Sequence, residues 1–236
     1  MPTEMPVRAA APTVYTQTDV GLRSYMRGIY NYMTAGLAIT GAVAYFAASS
    51  GLYFKLAATP AIWVVLLAPI AMVMFLSFRI QKMSLGTAQA TYWVYAGMMG
   101  LSLAGIFMLY TGQSIARVFF ISAGTFGGMS LYGYTTKKDL TGWGSFLFMG
   151  LIGVILASVV NLFMQSSALQ FAVSVMGVIV FVGLTAYDTQ KLKELYAAGD
   201  SAEAAGKKTV MGALTLYLDF INLFLMLLRL FGGRRD

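Results

Sequence analysis

The chain has 236 residues, of which 58% are hydrophobic and 11% are charged. Soluble domains carry about 25% charged residues, so this composition excludes an ordinary soluble protein and predicts one that crosses a membrane several times. The chain contains no cysteine and no histidine, which excludes disulfides, thiolate metal sites and an imidazole that could act as catalytic base or pH switch. The net charge of +7 predicts no nucleic-acid partner, because the basic residues lie mostly in short loops, where they set membrane topology.

The beginning of the chain, residues 1–29, is expected to form a mobile cytoplasmic tail. Its first twenty residues contain three of the five prolines, Pro2, Pro6 and Pro12, and no apolar core. Without such a core we expect no cleavable signal peptide. Residues 30–231 then form the transmembrane domain, and residues 232–236 form a short basic C-terminal tail.

Seven apolar segments of about 17–21 residues follow, each long enough to cross the roughly 30 Å hydrocarbon layer as a helix. The segments are Tyr30–Ala48, Ala61–Phe78, Tyr92–Tyr110, Val118–Tyr134, Gly144–Met164, Leu169–Tyr187 and Val210–Leu228. Because the loops are short and a bilayer core offers no water to free backbone groups, all seven are predicted to be helical. The predicted fold class is therefore an all-α membrane protein with seven transmembrane helices.

The distribution of Lys and Arg predicts the orientation. With a cytoplasmic N-terminus, eleven basic residues lie in cytoplasmic segments and five outside, as the positive-inside rule requires. The basic pair Arg234 and Arg235 then lies outside, and a re-entrant last segment would return it to the cytoplasm. Against this alternative, Leu214–Leu228 contains no residue that breaks a helix. We therefore predict seven full spans.

Asp219 is the only charged residue in the last segment, Val210–Leu228. A carboxylate at the centre of a membrane helix costs roughly 2.5–3.5 kcal/mol on insertion scales, so it marks an ion pathway, a proton site or a partner. Thr215 and Asn222, at i−4 and i+3, lie on the same helix face and form a polar stripe that should face the bundle. A purely structural hydrogen bond from Asp219 to a neighbouring helix remains an alternative.

Asp188 and Arg79 are expected at the cytoplasmic ends of the sixth and second helices, with Asp219 about 14 Å deep from the same side. If the last two helices are neighbours, Asp188 and Asp219 can meet. Two carboxylates in a low dielectric cannot both ionise cheaply, so the pair should share one proton. Arg79 could oppose this by keeping one carboxylate charged. Asp188 as an ordinary surface carboxylate and Arg79 as a topology anchor remain alternatives.

The same pair could bind a cation. Carboxylate oxygens are the ligands that Ca²⁺ favours, but two carboxylates fall short of the six to eight oxygen ligands of a tight Ca²⁺ site. Asp188 and Asp219 are therefore expected to hold Ca²⁺ weakly and transiently, as suits an ion in transit.

Three stretches resemble the Bax inhibitor-1 family, and its bacterial members in particular. They are Phe126–Phe163, Leu184–Tyr196 (with the motif YDTQ) and Ala213–Gly232 (with the motif LYLDFINLF). The resemblance implies six helices around a central seventh, in the bacterial inner membrane. It also implies a pH-sensitive Ca²⁺ leak gated by an aspartate pair, which corresponds to Asp188 and Asp219. The family's arginine latch, a cation that pairs with the gate, corresponds to Arg79.

Other classes of seven-helix protein fit less well. An intramembrane aspartyl protease also uses two aspartates on its sixth and seventh helices, but it needs a GxGD-like motif at the second one and a Pro-Ala-Leu motif near the C-terminus. Asp219 lies in YLDF instead, and no proline follows Pro69. A rhomboid-type protease needs a histidine base, and a retinal-type pump needs a lysine in the last span, which Val210–Leu228 lacks.

The sequence thus predicts a non-enzymatic, proton-gated Ca²⁺ leak channel. Asp188 and Asp219 form the gate and cation site, Arg79 the latch, and Thr215 and Asn222 supporting polar groups. We expect no tightly bound cofactor, with Ca²⁺ as the transported ion. The expected partners are the lipid bilayer, Ca²⁺, protons and other membrane proteins. A regulator that binds membrane proteases or cell-death proteins is the alternative.

The predicted orientation can be tested with single cysteines, since the natural chain contains none. We expect Thr13→Cys to be labelled by a membrane-impermeant thiol reagent only from the cytoplasmic side, and Asp236→Cys only from the opposite side. Labelling of both cysteines from one side would overturn the seven-span topology and favour a re-entrant last segment.

Overall fold

The computed structural model of this chain describes residues 14–235, which contain helices and no β-strand. The helices are α1 (Val14–Ser49), α2 (Leu52–Ala57), α3 (Ala61–Arg79, followed by a 3₁₀ turn, Ile80–Lys82), α4 (Leu85–Leu103), α5 (Ile106–Leu109), α6 (Gly112–Thr135), α7 (Thr141–Met164), α8 (Ser167–Glu194) and α9 (Ala202–Phe231).

Seven stretches of this part of the chain are long and apolar enough to cross a membrane. They are α1, α3, the pair α4–α5, α6, α7, α8 and α9, and each contains most or all of one predicted segment. The predicted fold class is therefore confirmed. The short helices and turns between them carry the chain from one span to the next.

The first helix starts earlier than the sequence predicted. Helix α1 begins at Val14, so residues 14–29, expected to belong to a mobile tail, are helical. Their buried side chains explain the difference, because Tyr25, Met26 and Ile29 recur at helical spacing and belong to the core. The rest of the predicted tail, residues 1–13, lies outside the described residues.

Several helices begin where the sequence supplies a hydroxyl cap. In each case a Ser or Thr side-chain oxygen accepts the backbone N–H three residues further on, which satisfies one of the free donors at a helix start. The caps are Ser84 for α4, Thr111 for α6, Ser166 for α8 and Ser201 for α9.

Helix α9 lies at the centre of the bundle. In the most apolar 18-residue stretch of α9, 72% of the residues are buried. In the corresponding stretches of the other six spans, 11–39% of the residues are buried. It packs against α1, α4, α6 and α8, while α3 packs on α4 and α7 packs on α8. This arrangement confirms the expected central position of the last helix; α1, α4, α6 and α8 pack on it directly, and α3 and α7 lie further from the centre.

The end of α9 is held by the tail that follows it. Residues 233–235 run antiparallel to the connection between α5 and α6, where the Thr111 N–H donates to Gly233 O (3.1 Å) and the Arg235 N–H donates to Leu109 O (3.0 Å). Helix α9 continues unbroken over 30 residues, about 45 Å. The tail therefore lies at the opposite end of the bundle from the α8–α9 loop, as a full span requires.

The close packing of α6 on α8 depends on a glycine. A Cβ atom added at Gly133 would collide with the backbone carbonyl of Ala186, two residues before Asp188. Gly124 and Gly128, although spaced as GxxxG, face open space. The glycine that allows the close approach is thus Gly133, which the motif does not include.

This difference predicts the effect of two matched substitutions. We expect Gly133→Ala to destabilise the fold by about 1–3 kcal/mol, because a backbone carbonyl cannot move aside as a flexible side chain can. Gly124→Ala on the same helix should be close to neutral. Thermal unfolding in detergent measures both, at roughly 2–4 °C per kcal/mol for a chain of this size. Equal unfolding temperatures for the two variants would contradict this view of the α6–α8 contact.

Candidate functional site

The antiparallel packing of α8 and α9 brings Asp188 and Asp219 together. Their carboxyl groups lie close enough to form a hydrogen bond with each other. An ionised carboxylate is only an acceptor, so such a bond requires that one of the two groups carries a proton. The structure therefore brings together the two carboxyl groups that the sequence analysis expected to meet, and the shared proton stays a prediction.

The two carboxyl groups have different surroundings. Asp219 is 5% exposed, whereas Asp188 is half-buried near the end of α8. In the described part of the chain, Asp219 Oδ2 has no hydrogen-bond partner. A buried polar atom without a partner is rare and costly, so it calls for an ion, a water molecule or a proton.

Both aspartates line a cavity of about 1200 Å³ between α7, α8 and α9. Its lining runs from Gly144 to Gln165 along α7 and from Gln170 to Lys191 along α8. Each of these stretches spans about 31 Å, nearly the thickness of the hydrocarbon layer. The carboxyl pair lies toward one end of this cavity, which we call the near mouth.

Thr215 and Asn222 also line the cavity, as their positions on the Asp219 face predict. Their own hydrogen bonds stay on α9. The Thr215 hydroxyl donates to Met211 O (3.1 Å), and Asn222 Nδ2 donates to Leu218 O (2.8 Å). Both side chains therefore give the cavity wall a polar stripe without bonding Asp219 directly, and the Asn222 Oδ1 stays free to accept.

The structure does not bring Arg79 to the aspartate pair. Arg79 is exposed at the end of α3 and is not among the residues that line the cavity. The reason lies in the packing, because α3 contacts α4 rather than α8 or α9. The ion pairs within the described residues are Lys207–Glu203 (2.9 Å) and Lys208–Asp200 (2.7 Å).

The basic residue close to the pair is Lys191. The sequence analysis counted it only among the basic residues of the cytoplasmic segments. It lies one turn after Asp188 on α8, close enough to interact with that carboxylate. Its ammonium group also lies 5.6 Å from the centre of the Tyr187 ring. The i,i+3 spacing could have identified it, but the predicted span ended at Tyr187 while α8 continues to Glu194.

A buried glutamine holds the α6–α7 loop in place at the near mouth. Gln190, 7% exposed, accepts the Leu140 N–H through Oε1 (2.8 Å) and donates from Nε2 to Lys138 O (2.8 Å). These bonds hold the α6–α7 loop against α8, two residues from Asp188. Sequence reasoning missed this role, since an amide near a helix end has no special pattern of its own.

One carboxylate of the same loop provides a useful reference. Asp139 accepts the Thr141 N–H through Oδ1 (2.8 Å) at the start of α7. The Thr141 side chain, and then its N–H, hold the pKa of Asp139 below its ordinary value, because hydrogen bonds to a carboxylate stabilise the charged form. Asp139 is fully exposed and remains ionised at neutral pH.

The described residues contain no group of three or more His, Cys, Asp or Glu side chains that could hold a metal ion. The aspartate pair is thus a two-carboxylate site. Any further oxygen ligands for a passing cation would come from water, from hydroxyl or amide groups of the cavity wall, or from carbonyl groups.

Comparison with known proteins gives a consistent result over almost the whole chain. A family model described as "Inhibitor of apoptosis-promoting Bax1" matches residues 22–236. The chain is 51% identical over 223 residues to the inner membrane protein YbhL of Escherichia coli, covering 93% of this chain and 95% of that protein. It is 49% identical over 219 residues to an uncharacterized protein of Rickettsia prowazekii, covering 92% of this chain and 93% of that protein. An uncharacterized protein of Caulobacter vibrioides is 48% identical over 230 residues, with 92% of each chain covered.

Proposed function

Since this chain belongs to the Bax inhibitor-1 family, we propose that it is a pH-sensitive Ca²⁺ leak channel whose gate is the pair Asp188 and Asp219. The observation that carries the proposal is the contact of the two carboxyl groups inside a cavity that extends along α7 and α8. The relative from Escherichia coli is named an inner membrane protein, and we propose the same membrane for this chain, with its N-terminus in the cytoplasm.

Protonation explains how such a pair can gate the cavity. With one proton shared, the two carboxyl groups hold α8 and α9 together through their hydrogen bond. Loss of that proton leaves two negative charges in contact, which repel each other and attract a divalent cation. The number of protons on the pair therefore changes both the helix contact and the affinity for Ca²⁺.

Weak binding is an advantage in this mechanism. A conducting site has to attract the ion yet release it again, so a tight cage would block the flow. Two carboxylates with Thr215 and Asn222 on the same wall provide few protein ligands, and water completes the shell. We propose that Ca²⁺ passes this site as transported ion and does not remain there as a cofactor.

A resting latch requires a cation near the pair. Lys191 lies one turn after Asp188 and lines the same cavity, without forming an ion pair with it among the described residues. Arg79 is exposed and does not line the cavity, and the latch role expected for it stays a prediction. We propose that Lys191 stabilises the charged form of Asp188 and so contributes to the pH at which the gate responds.

The latch predicts a shift in the pH midpoint of Ca²⁺ flux in proteoliposomes. Lys191→Ala should move the midpoint upward by roughly half a pH unit, because removing a cation lets the pair protonate at a higher pH. Lys137→Ala, an exposed lysine of the α6–α7 loop, is the matched control and should leave the midpoint unchanged. A midpoint that moves in Arg79→Ala but not in Lys191→Ala would return the latch to Arg79.

The gate itself is tested by neutralising each aspartate. Coupled carboxyl groups titrate as a unit, so Asp188→Asn and Asp219→Asn should each abolish the pH dependence of Ca²⁺ flux between about pH 6 and 8. The double variant should add little to either single one. Both amides are uncharged, and an uncharged group is less costly in the membrane than a carboxylate, so the fold should persist.

Asp139→Asn is the matched control for the gate. The pKa of Asp139 is below its ordinary value, so this group stays charged throughout that pH range and cannot supply the response. An asparagine oxygen can still accept the Thr141 N–H, and the variant should therefore keep the wild-type pH response. A pH response that survives in Asp219→Asn would show that the buried aspartate is structural and would remove the mechanism.

A second candidate is a non-enzymatic regulator that binds membrane proteases or cell-death proteins. The matching family is described as an inhibitor of a protein that promotes apoptosis, which favours this candidate. A partner that binds wild type and Asp219→Asn equally well, together with no Ca²⁺ flux from the purified protein, would support regulation over conduction.

We propose no enzymatic activity. Two aspartates in contact also resemble an aspartyl protease, but Asp219 lacks the glycine-containing motif of such enzymes, and the C-terminal half contains no proline.

A further inference from the structure

The cavity has a second end, which we call the far mouth and define by Asn161, Gln165, Gln170 and Arg229. These residues lie at the end of α7, the start of α8 and the last turn of α9. Asp219 and Arg229 are ten residues apart on one continuous helix, which separates them by about 15 Å along its axis. The cavity thus has a pair of acids with one cation, Lys191, toward one end, and a single cation with three amides and no acid at the other.

The acids that the structure describes show the same division, whereas basic residues lie in both halves and are more numerous in the half with the near mouth. Among the described side chains, every acid lies in the half of the bundle that contains the near mouth. These acids are Asp139, Asp188, Glu194, Asp200, Glu203 and Asp219. In the opposite half, all the charged side chains in the described part of the chain are basic. They are Lys55, Arg117, Arg229, Arg234 and Arg235. Of these five cations, only Arg229 lines the cavity.

We propose that Arg229 is an electrostatic filter at the far mouth, which limits the flow of divalent cations and sets the ratio of divalent to monovalent flux. This inference rests on the proposed channel function and adds a second control point to it. A cation beside the path of another cation raises the barrier to its passage, as charged side chains do in other pores. The guanidinium group is suited to this task, because it cannot lose its charge at any physiological pH.

The size of the effect depends on the charge of the passing ion. For an ion about 8 Å from Arg229 in a water-like dielectric, Coulomb repulsion lowers the flux of a monovalent cation by a factor of about 2.4 and that of a divalent cation by a factor of about 6. The two factors are related as a number to its square, since the repulsion doubles with the charge. Arg229 therefore disfavours Ca²⁺ relative to K⁺, while the acids of the near mouth favour it.

A purely structural role for Arg229 makes a different prediction. A basic side chain in the last turn of a helix stabilises that helix through its dipole. Removing such a group would lower thermal stability and change the flux of all ions by one common factor. The dependence on ion charge separates the two roles.

The test measures Ca²⁺ and K⁺ flux into proteoliposomes at one pH. Arg229→Gln should raise Ca²⁺ flux by a factor of about 6 and K⁺ flux by a factor of about 2.4, whereas Arg229→Lys, which keeps the charge, should match wild type. The increase should shrink at high ionic strength, because salt screens exposed charges. The matched control is Arg234→Gln, which removes a positive charge from the same face but outside the cavity, and it should change neither flux.

The cysteine-free background allows the charge to be varied in one protein. Arg229→Cys should behave like Arg229→Gln. Modification of that cysteine with a cationic methanethiosulfonate should restore the low wild-type Ca²⁺ flux, and modification with an anionic one should raise it further. This series does not depend on how any single substitution folds, since the reagents act on protein that has already been reconstituted.

The outcomes separate the filter from the channel. Equal increases for Ca²⁺ and K⁺ in Arg229→Gln, an unchanged Ca²⁺ flux, or the same increase in Arg234→Gln would each overturn the filter while leaving the pH-gated channel in place. Wild-type protein without any Ca²⁺ flux would overturn the proposed function and the filter with it.

Discussion

The contact between Asp188 and Asp219 is the constraint on which the rest of the structure depends. One of the two carboxyl groups, that of Asp219, is 5% exposed and lies on the most buried helix of the bundle, so burial removes most of the water that would solvate it. A shared hydrogen bond with the other group reduces the cost of that burial, but only while a proton is present. This contact in the core is therefore sensitive to protons, which supports the gate that we propose.

The neighbouring helices are arranged so that this contact can form beside a cavity. Gly133 allows α6 to approach the backbone of α8 closely, and Gln190 holds the α6–α7 loop on the same helix. With α8 supported on these sides, α7 packs mainly on α8. The space between α7 and α9 remains open along nearly the whole length of the bundle, and Asp219 faces it.

The charges along that space are unequal at its two ends. The aspartate pair and Lys191 lie near one mouth, and Arg229 lies at the other. In the channel that we propose, the carboxylates attract a cation at one end and Arg229 repels it at the opposite end. Such an arrangement suits a slow leak better than a fast conductor, because favourable binding and an unfavourable barrier follow each other along one path. The low charge content of the chain makes each of these few groups important.

The sequence by itself determined the class of the protein, its seven spans and the two aspartates, because hydrocarbon thickness and the cost of a buried charge act on each segment separately. It also placed Thr215 and Asn222 on the correct face of α9 through helical periodicity alone. The start of α1 at Val14, the role of Lys191 and the position of Arg79 away from the pair could not be predicted in this way. Each of them depends on which helices are neighbours and on how far α8 extends past Tyr187, and only tertiary packing decides this. The family resemblance indicated that the aspartates meet, but the cavity and its far mouth arise from gaps between three helices, and no single segment encodes them.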